Sequence, residues 1–166
     1  MLNIRMFHPH EWPLYRDLRL AALRDAPGAF GSTLAREEPL SDDEWLRRLT
    51  HGVSSTLEHP LVAEYDGNAV GLCWVRIDPG DPTIASLYSV WVHPEARRHG
   101  VAQGLLDASM RWAREAGART MTLTVSADSA ARMYRRAGFV DVGTPHPLRE
   151  GSEERQHAMQ CDLTTR

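Results

Sequence analysis

Apolar residues recur along the chain with two periods, and the places where one gives way to the other mark its strands and helices. Residues 3–7 read as a short strand. From about residue 10 to 25, Leu14, Leu18, Ala21 and Ala22 fall at helical spacing until Ala26-Pro27-Gly28 stops the run. Ser41, followed three residues later by Glu44, is a capping-box signature, and the helix it opens carries Trp45, Leu46 and Leu49. Residues 61–65 and 69–77 are β-prone runs joined by Asp66-Gly67-Asn68, a strong hairpin signal. A turn follows at Asp78-Pro79-Gly80-Asp81-Pro82, then another strand over 83–93, closed by Pro94.

The second half is more regular. Residues 98–116 place Val101, Leu105, Ala108, Trp112 and Ala116 on one helical face, with Gly117 as the stop. Residues 120–125 alternate Thr with apolar side chains, as a half-buried strand does. A short helix is expected over 128–137, ending at Gly138, and final strands over 139–142 and 157–163. The order β-α-α-β-β-β-α-β-α-β-β puts antiparallel strands first and a β-α-β unit after them, which predicts a mixed α/β sheet. No repeat, low-complexity run or long linker interrupts it, so residues 1–166 are expected to form one domain.

Composition narrows the function. With 42% hydrophobic residues in 166, the chain can bury a sizeable core without disulfides or metal. A net charge of -3 argues against a nucleic-acid binder. There is no apolar stretch of transmembrane length and no signal-peptide pattern, and Cys73 and Cys161 are two scattered cysteines rather than a disulfide framework. Together these predict a cytoplasmic protein with no membrane partner. All 19 basic residues are Arg, which reads as coding bias and carries no function.

The candidate chemistry lies at Arg97-Arg98-His99-Gly100-Val101-Ala102-Gln103, where a strand turns into a helix. Cations at a helix N-terminus oppose the helix dipole by about 0.3–1 kcal/mol each. They become favourable when an anion sits in the turn, where free backbone N–H groups and two guanidinium groups meet the same phosphate oxygens. The bland alternative is a glycine-tolerant helix start with surface arginines. The turn is neither a P-loop, lacking Gly-Lys-Ser/Thr, nor a Rossmann fingerprint.

Arg97-Arg98-His99-Gly100-Val101-Ala102 resembles the Arg/Gln-x-x-Gly-x-Gly/Ala signature of the GCN5-related N-acetyltransferases, the GNAT superfamily. The resemblance spans about residues 83–143. Residues 87–94 look like the family's fourth strand, Leu105-Leu106 continue its cofactor helix, and Tyr134-Arg135-Arg136-Ala137-Gly138-Phe139 looks like its Tyr-x-x-x-Gly-Phe motif. It implies a mostly antiparallel central sheet flanked by helices and an enzyme that moves an acetyl group from acetyl-CoA to an amine. That amine could belong to a small molecule or a peptide, and attack would be direct, in a ternary complex. The alternative is a non-catalytic acyl-CoA-binding domain with a sensing or regulatory role. A homodimer is an open option, since GNAT-like proteins often dimerise.

The same resemblance implies residue roles. Backbone amides of Arg97, Arg98, His99, Gly100, Val101, Ala102 and Gln103 would hold the pyrophosphate. Backbone groups of Val90 and Val92 would pair with the pantetheine arm. Tyr134 would protonate the departing thiolate, since a phenol of pKa about 10 stays protonated at neutral pH. Two positions depart from the pattern. Where the family often has a strand-four Glu stands Ser86, able to hold a water but not to act as a base. Where it commonly has Asn stands Ala127, with Ser126, Asp128 or Ser129 as substitutes. Candidate bases are therefore Glu37 and Glu38, or a water chain past Ser86 and Tyr88. Residues 29–33 with Trp74 are candidates for the acceptor wall. The eight His residues, including His93 and His99 beside the turn, show no ligand cluster, and no metal is expected.

Overall fold

The computed structural model describes residues 1–126 and 128–164. Leu2–Met6 forms β1, and a single 3₁₀ turn leads into α1, Trp12–Asp25. A short α2, Leu34–Glu37, precedes α3, Asp42–Ser54. Next come β2, Glu58–Tyr65, β3, Asn68–Asp78, and β4, Asp81–Val92. Then follow α4, Val101–Glu115, β5, Thr120–Val125, and α5, Asp128–Arg136. The hairpin of β6, Val140–Pro147, and β7, Arg155–Asp162, closes the chain.

The seven strands form one sheet in the order β1-β2-β3-β4-β5-β7-β6. Every pairing is antiparallel except β4 with β5, the pair that α4 bridges, as a parallel crossover requires. The mixed α/β sheet expected from the element order, mostly antiparallel as the resemblance implies, is the fold observed.

Alternation along the strands divides the core into two layers. Leu61, Ala63, Cys73 and Val75 face Val101, Leu105, Leu106 and Met110 of α4. Val62 and Leu72, with Trp91, face Phe7, Tyr15, Leu18, Trp45 and Leu49, which bring α1 and α3 against the other side. Gly52 of α3 lies so close to the sheet that a Cβ there would fall 2.2 Å from Cζ2 of Trp74. At the edge of this layer the Arg5 guanidinium holds Glu11 at 2.8 and 2.9 Å and Glu64 at 3.0 Å.

Three details differ from the sequence reading. Ser41 Oγ accepts the Glu44 N–H at 3.2 Å, but the Glu44 carboxylate pairs with Arg47 and Arg48 instead of completing a capping box. The β3–β4 connection is tighter than the five-residue turn expected, because Asp78 pairs across to Asp81. Helix α4 begins at Val101, not near Arg98, because Arg98 (φ +70°) and Gly100 (φ +78°) are left-handed and cannot belong to a right-handed helix. Among the described residues no helix is long and apolar enough to cross a membrane.

Candidate functional site

Strand β4 is irregular where it matters. Trp74 pairs with Tyr88 and Leu72 with Trp91, so Ser89 and Val90 together oppose Cys73 across β3. Two residues facing one make a bulge, and Ser89 at φ +59° takes up the extra length. On the other side the β4–β5 ladder consists of Ile84–Thr120, Ala85–Met121 and Ser86–Thr122. Beyond Ser86 the backbone of β4 through Val90 and Val92 has no strand partner on that side among the described residues. A seam therefore opens inside the sheet, beside the bulge.

The mouth of the seam is the turn into α4. Gly104 N–H is the first to bond back within the helix, to the Gly100 carbonyl. No side chain caps the N-terminus and no acidic residue stands in the first turn, so the amides of Val101, Ala102 and Gln103 are free donors at the positive end of a 15-residue helix. A cavity of about 330 Å³ lies over them, lined also by Val92, Arg98 and Arg136. This donor set fits a diphosphate: free N–H groups at a helix start, the guanidinium groups of Arg98 and Arg136, and no carboxylate among the residues that line the cavity.

One expected side-chain role, that of the Arg97 guanidinium, meets competing partners. Arg97 also lines this cavity, but its guanidinium is held by other groups. Its Nε donates to the Val92 carbonyl at 3.1 Å and its Nη2 to Asp25, which also accepts the Trp91 indole N–H at 3.0 Å. His99 and His93 point away from the turn into a separate cavity of about 360 Å³, where His99 packs against Tyr65 with ring centroids 5.0 Å apart. To the cavity over the turn the structure adds Arg136 and Met133 of α5, missed because they lie over thirty residues downstream in what reads as a plain amphipathic helix.

Tyr134 is also on α5, buried among core side chains and edge-on to Phe139 at 5.6 Å. Burial, and to a lesser extent nearby Cys73, pushes its phenol well above the ordinary tyrosine value, so it stays protonated. Ser126 Oγ donates to the Gly28 carbonyl at 2.6 Å. Ala127 lies outside the described residues.

On the α1–α3 side, beside the bulge, lies a larger cavity of about 500 Å³. Tyr15, Trp74 and Tyr88 form its aromatic walls, and Arg19, Arg47, Arg48 and Arg76 its cationic ones. His51, Glu58 and Ser89 complete it. Glu58 accepts the Trp74 indole N–H at 2.8 Å and faces His51 Nε2 at 3.0 Å. Trp74 is thus both core and wall, whereas Phe30 of the expected 29–33 wall is buried under the Arg19 guanidinium.

Glu37 corrects a further expectation. It sits on α2, only 4% exposed, its two oxygens held by Arg19 at 3.0 and 2.9 Å and one also by Arg48 at 3.3 Å. Burial acts to raise its pKa, but the hydrogen bonds from Arg19 and Ser32 and the charges of Arg19 and Arg48 outweigh it and hold the carboxyl below its usual range. A carboxylate so committed is a poor base. Glu38 is exposed, near Arg24. Ser86 closes the β4–β5 ladder and faces Arg76 across β3. Among the described residues no three His, Cys, Asp or Glu side chains cluster as metal ligands.

The sequence profile of the acetyltransferase (GNAT) family matches residues 12–139. A mycothiol acetyltransferase of Cellulomonas flavigena is 33% identical over 89 residues, which cover 48% of this chain and 26% of that protein. The match thus spans about a quarter of that relative. An acetyltransferase of the GNAT family from Streptococcus pneumoniae superposes with a TM-score of 0.80 at 23% identity, over 96% of this chain and 98% of the other. Spermidine N-acetyltransferase from Vibrio cholerae, in complex with CoA and spermine, gives 0.79 at 18% identity over 98% and 96%. At these identities the superpositions show a shared fold.

Proposed function

Since the chain belongs to the acetyltransferase (GNAT) family, we propose that it transfers an acetyl group from acetyl-CoA to the amine of a small molecule or peptide. The observation that carries this reading is the seam between β4 and β5, opening at one end on the free amides of α4 and at the other on the Arg- and aromatic-lined cavity. An extended arm with a diphosphate head fits the first, and an acceptor the second.

Acetyl-CoA supplies an activated acyl group whose thiol must leave. The residues of this chain position and protonate. Val101, Ala102 and Gln103 N–H, with Arg98 and Arg136, hold the diphosphate. The backbone of β4 at Val90 and Val92 holds the arm and aligns the reacting carbonyl, which lowers the entropy cost of the encounter. Tyr134 Oη gives its proton to the departing sulfur. An alkyl amine arrives protonated. With Glu37 tied to two arginines, we assign proton removal to His51, whose Nε2 faces Glu58 and whose Nδ1 is then left to accept.

Two expectations join this reading. The free, buried Cys73 and Cys161 support a reducing, cytoplasmic setting. Ser86, in place of a strand-four acid, favours the second reading, a domain that binds acyl-CoA without turnover.

Thermal unfolding tests the co-substrate: CoA at a hundred times its Kd should add about 2.7 kcal/mol. Gly100→Asp should abolish the shift, because it puts a Cβ at φ +78° and a carboxylate against the diphosphate. No shift in the wild type at millimolar CoA overturns the assignment. Thiol release with an amine panel then separates enzyme from sensor.

A further inference from the structure

We infer that the acceptor is an amine that also carries an anionic group, a carboxylate, sulfonate or phosphonate, and that Arg76 binds this group. The inference rests on the N-acetyltransferase reading and names the class of its acceptor.

The argument is a charge account of the 500 Å³ cavity. Arg19 and Arg48 share Glu37. Arg47 pairs with Glu44. The two oxygens of Glu58 are taken by Trp74 Nε1 and His51 Nε2. Every nearby acid is committed. Arg76 is exposed in the same cavity and has no hydrogen bond or ion pair among the described residues.

Strand register explains why it is left over. Glu58 of β2, Arg76 of β3 and Ser86 of β4 lie directly across from one another, with Pro60, Trp74 and Tyr88 as the neighbouring row on the same face. An acid at position 86 would neutralise Arg76 across the strand pair. Ser86 cannot. The four guanidinium groups of the cavity thus outnumber Glu37, Glu44 and Glu58 by one charge. Arg76, with Glu58 across the strand turned to Trp74 and His51, is the one with no hydrogen-bonded partner among the described residues, beside two aromatic rings and next to the bulge. A polyamine would meet like charge there. A carboxylate or phosphonate would gain a charge-assisted, two-pronged contact, while Trp74 and Tyr88 cover an apolar body.

The test uses the CoA-loaded protein and matched probes: phenylalanine, leucine and an aminoalkylphosphonate, each against its amide or uncharged analogue, with spermidine as the polycation. Calorimetry gives Kd and thiol release gives kcat/KM. The acids should win by about tenfold or more, the scale of a hydrogen bond to a charged group. Arg76→Ala should erase that preference, and Arg76→Glu should reverse it toward amines without the acid. Equal binding of acid and amide, a preference that survives Arg76→Ala, or spermidine as the best ligand overturns the inference. So does failure of every acid to bind at millimolar concentration. If CoA still raises the melting temperature in that case, the acetyl-CoA reading stands and only the anionic acceptor falls.

Discussion

Asp25, the last residue of α1, holds Arg97 of the turn that leads into α4, and the two lie 72 positions apart in sequence. Because Asp25 also accepts the Trp91 indole N–H, and Arg97 also donates to the Val92 carbonyl, this contact fixes α1, the end of β4 and the turn relative to one another. Adjacent arginines, alike in sequence, thereby take different tasks.

Arg97→Ala should lower stability by about 1 kcal/mol, as a partly exposed pair does, with a modest loss of CoA affinity from the loosened turn. Arg98→Ala should leave the melting temperature of the free protein unchanged and weaken CoA binding. Its effect should fade as salt rises, since an exposed phosphate contact is screened within about 10 Å at 0.1 M. Calorimetry at two ionic strengths checks this; a salt-independent loss in Arg98→Ala would refute a direct contact.

Tyr134→Phe keeps the ring and its contact with Phe139, so folding and CoA binding should hold. Turnover should drop toward the lower end of the 10²–10⁴ range for general acid catalysis, since a thiolate is already a fair leaving group. Because burial raises the phenol pKa, no alkaline loss of activity from this residue should appear up to about pH 10 in the wild type. Turnover near wild type in the variant, with chemistry rate-limiting, removes the tyrosine from the mechanism.

Glu37→Gln leaves two guanidinium groups short of a buried partner and should cost about 3 kcal/mol, or about 10 °C in melting temperature. If Glu37 were also the base, turnover per folded molecule would fall in addition. Thermal unfolding beside thiol release separates the two outcomes.

Arg5 and Glu11 give a pH-dependent term. The hydrogen bonds from Arg5 pull the Glu11 carboxyl from the usual value of about 4.5 down to about 2. A depressed carboxyl stabilises the fold above its unfolded pKa, and that contribution is lost as pH falls from about 4.5 through about 2. The penalty of Arg5→Ala, about 1 kcal/mol at pH 7 for a partly exposed pair, should therefore vanish toward pH 2. A constant penalty across that range would contradict the ion pair.

What could be read from sequence was whatever depends on local pattern. The hairpin at Asp66-Gly67, the cap at Ser41 and the turn at Gly100 each follow from neighbouring residues, and each appears in the fold. Glu37, by contrast, reads in sequence as a candidate base with no visible partner, because Arg19 and Arg48 lie 18 and 11 residues away on separate helices. The cavity of Trp74, Arg76, Glu58 and His51 likewise exists only through the register of three strands and the approach of α3. The split between β4 and β5 has no local signature either, since both strands read as ordinary alternating runs.

That split has a cost when the protein is empty. Sheet edges normally lie at the margins, where charge, bulges or short strands keep foreign strands from docking. Here part of β4 past Ser86 is an edge in mid-sheet, flanked by apolar core. Whatever lies in the seam acts as a removable strand and hides the edge from other chains. Aggregation on heating is therefore expected of the protein alone, and saturating CoA should suppress it, which light scattering with and without CoA would read.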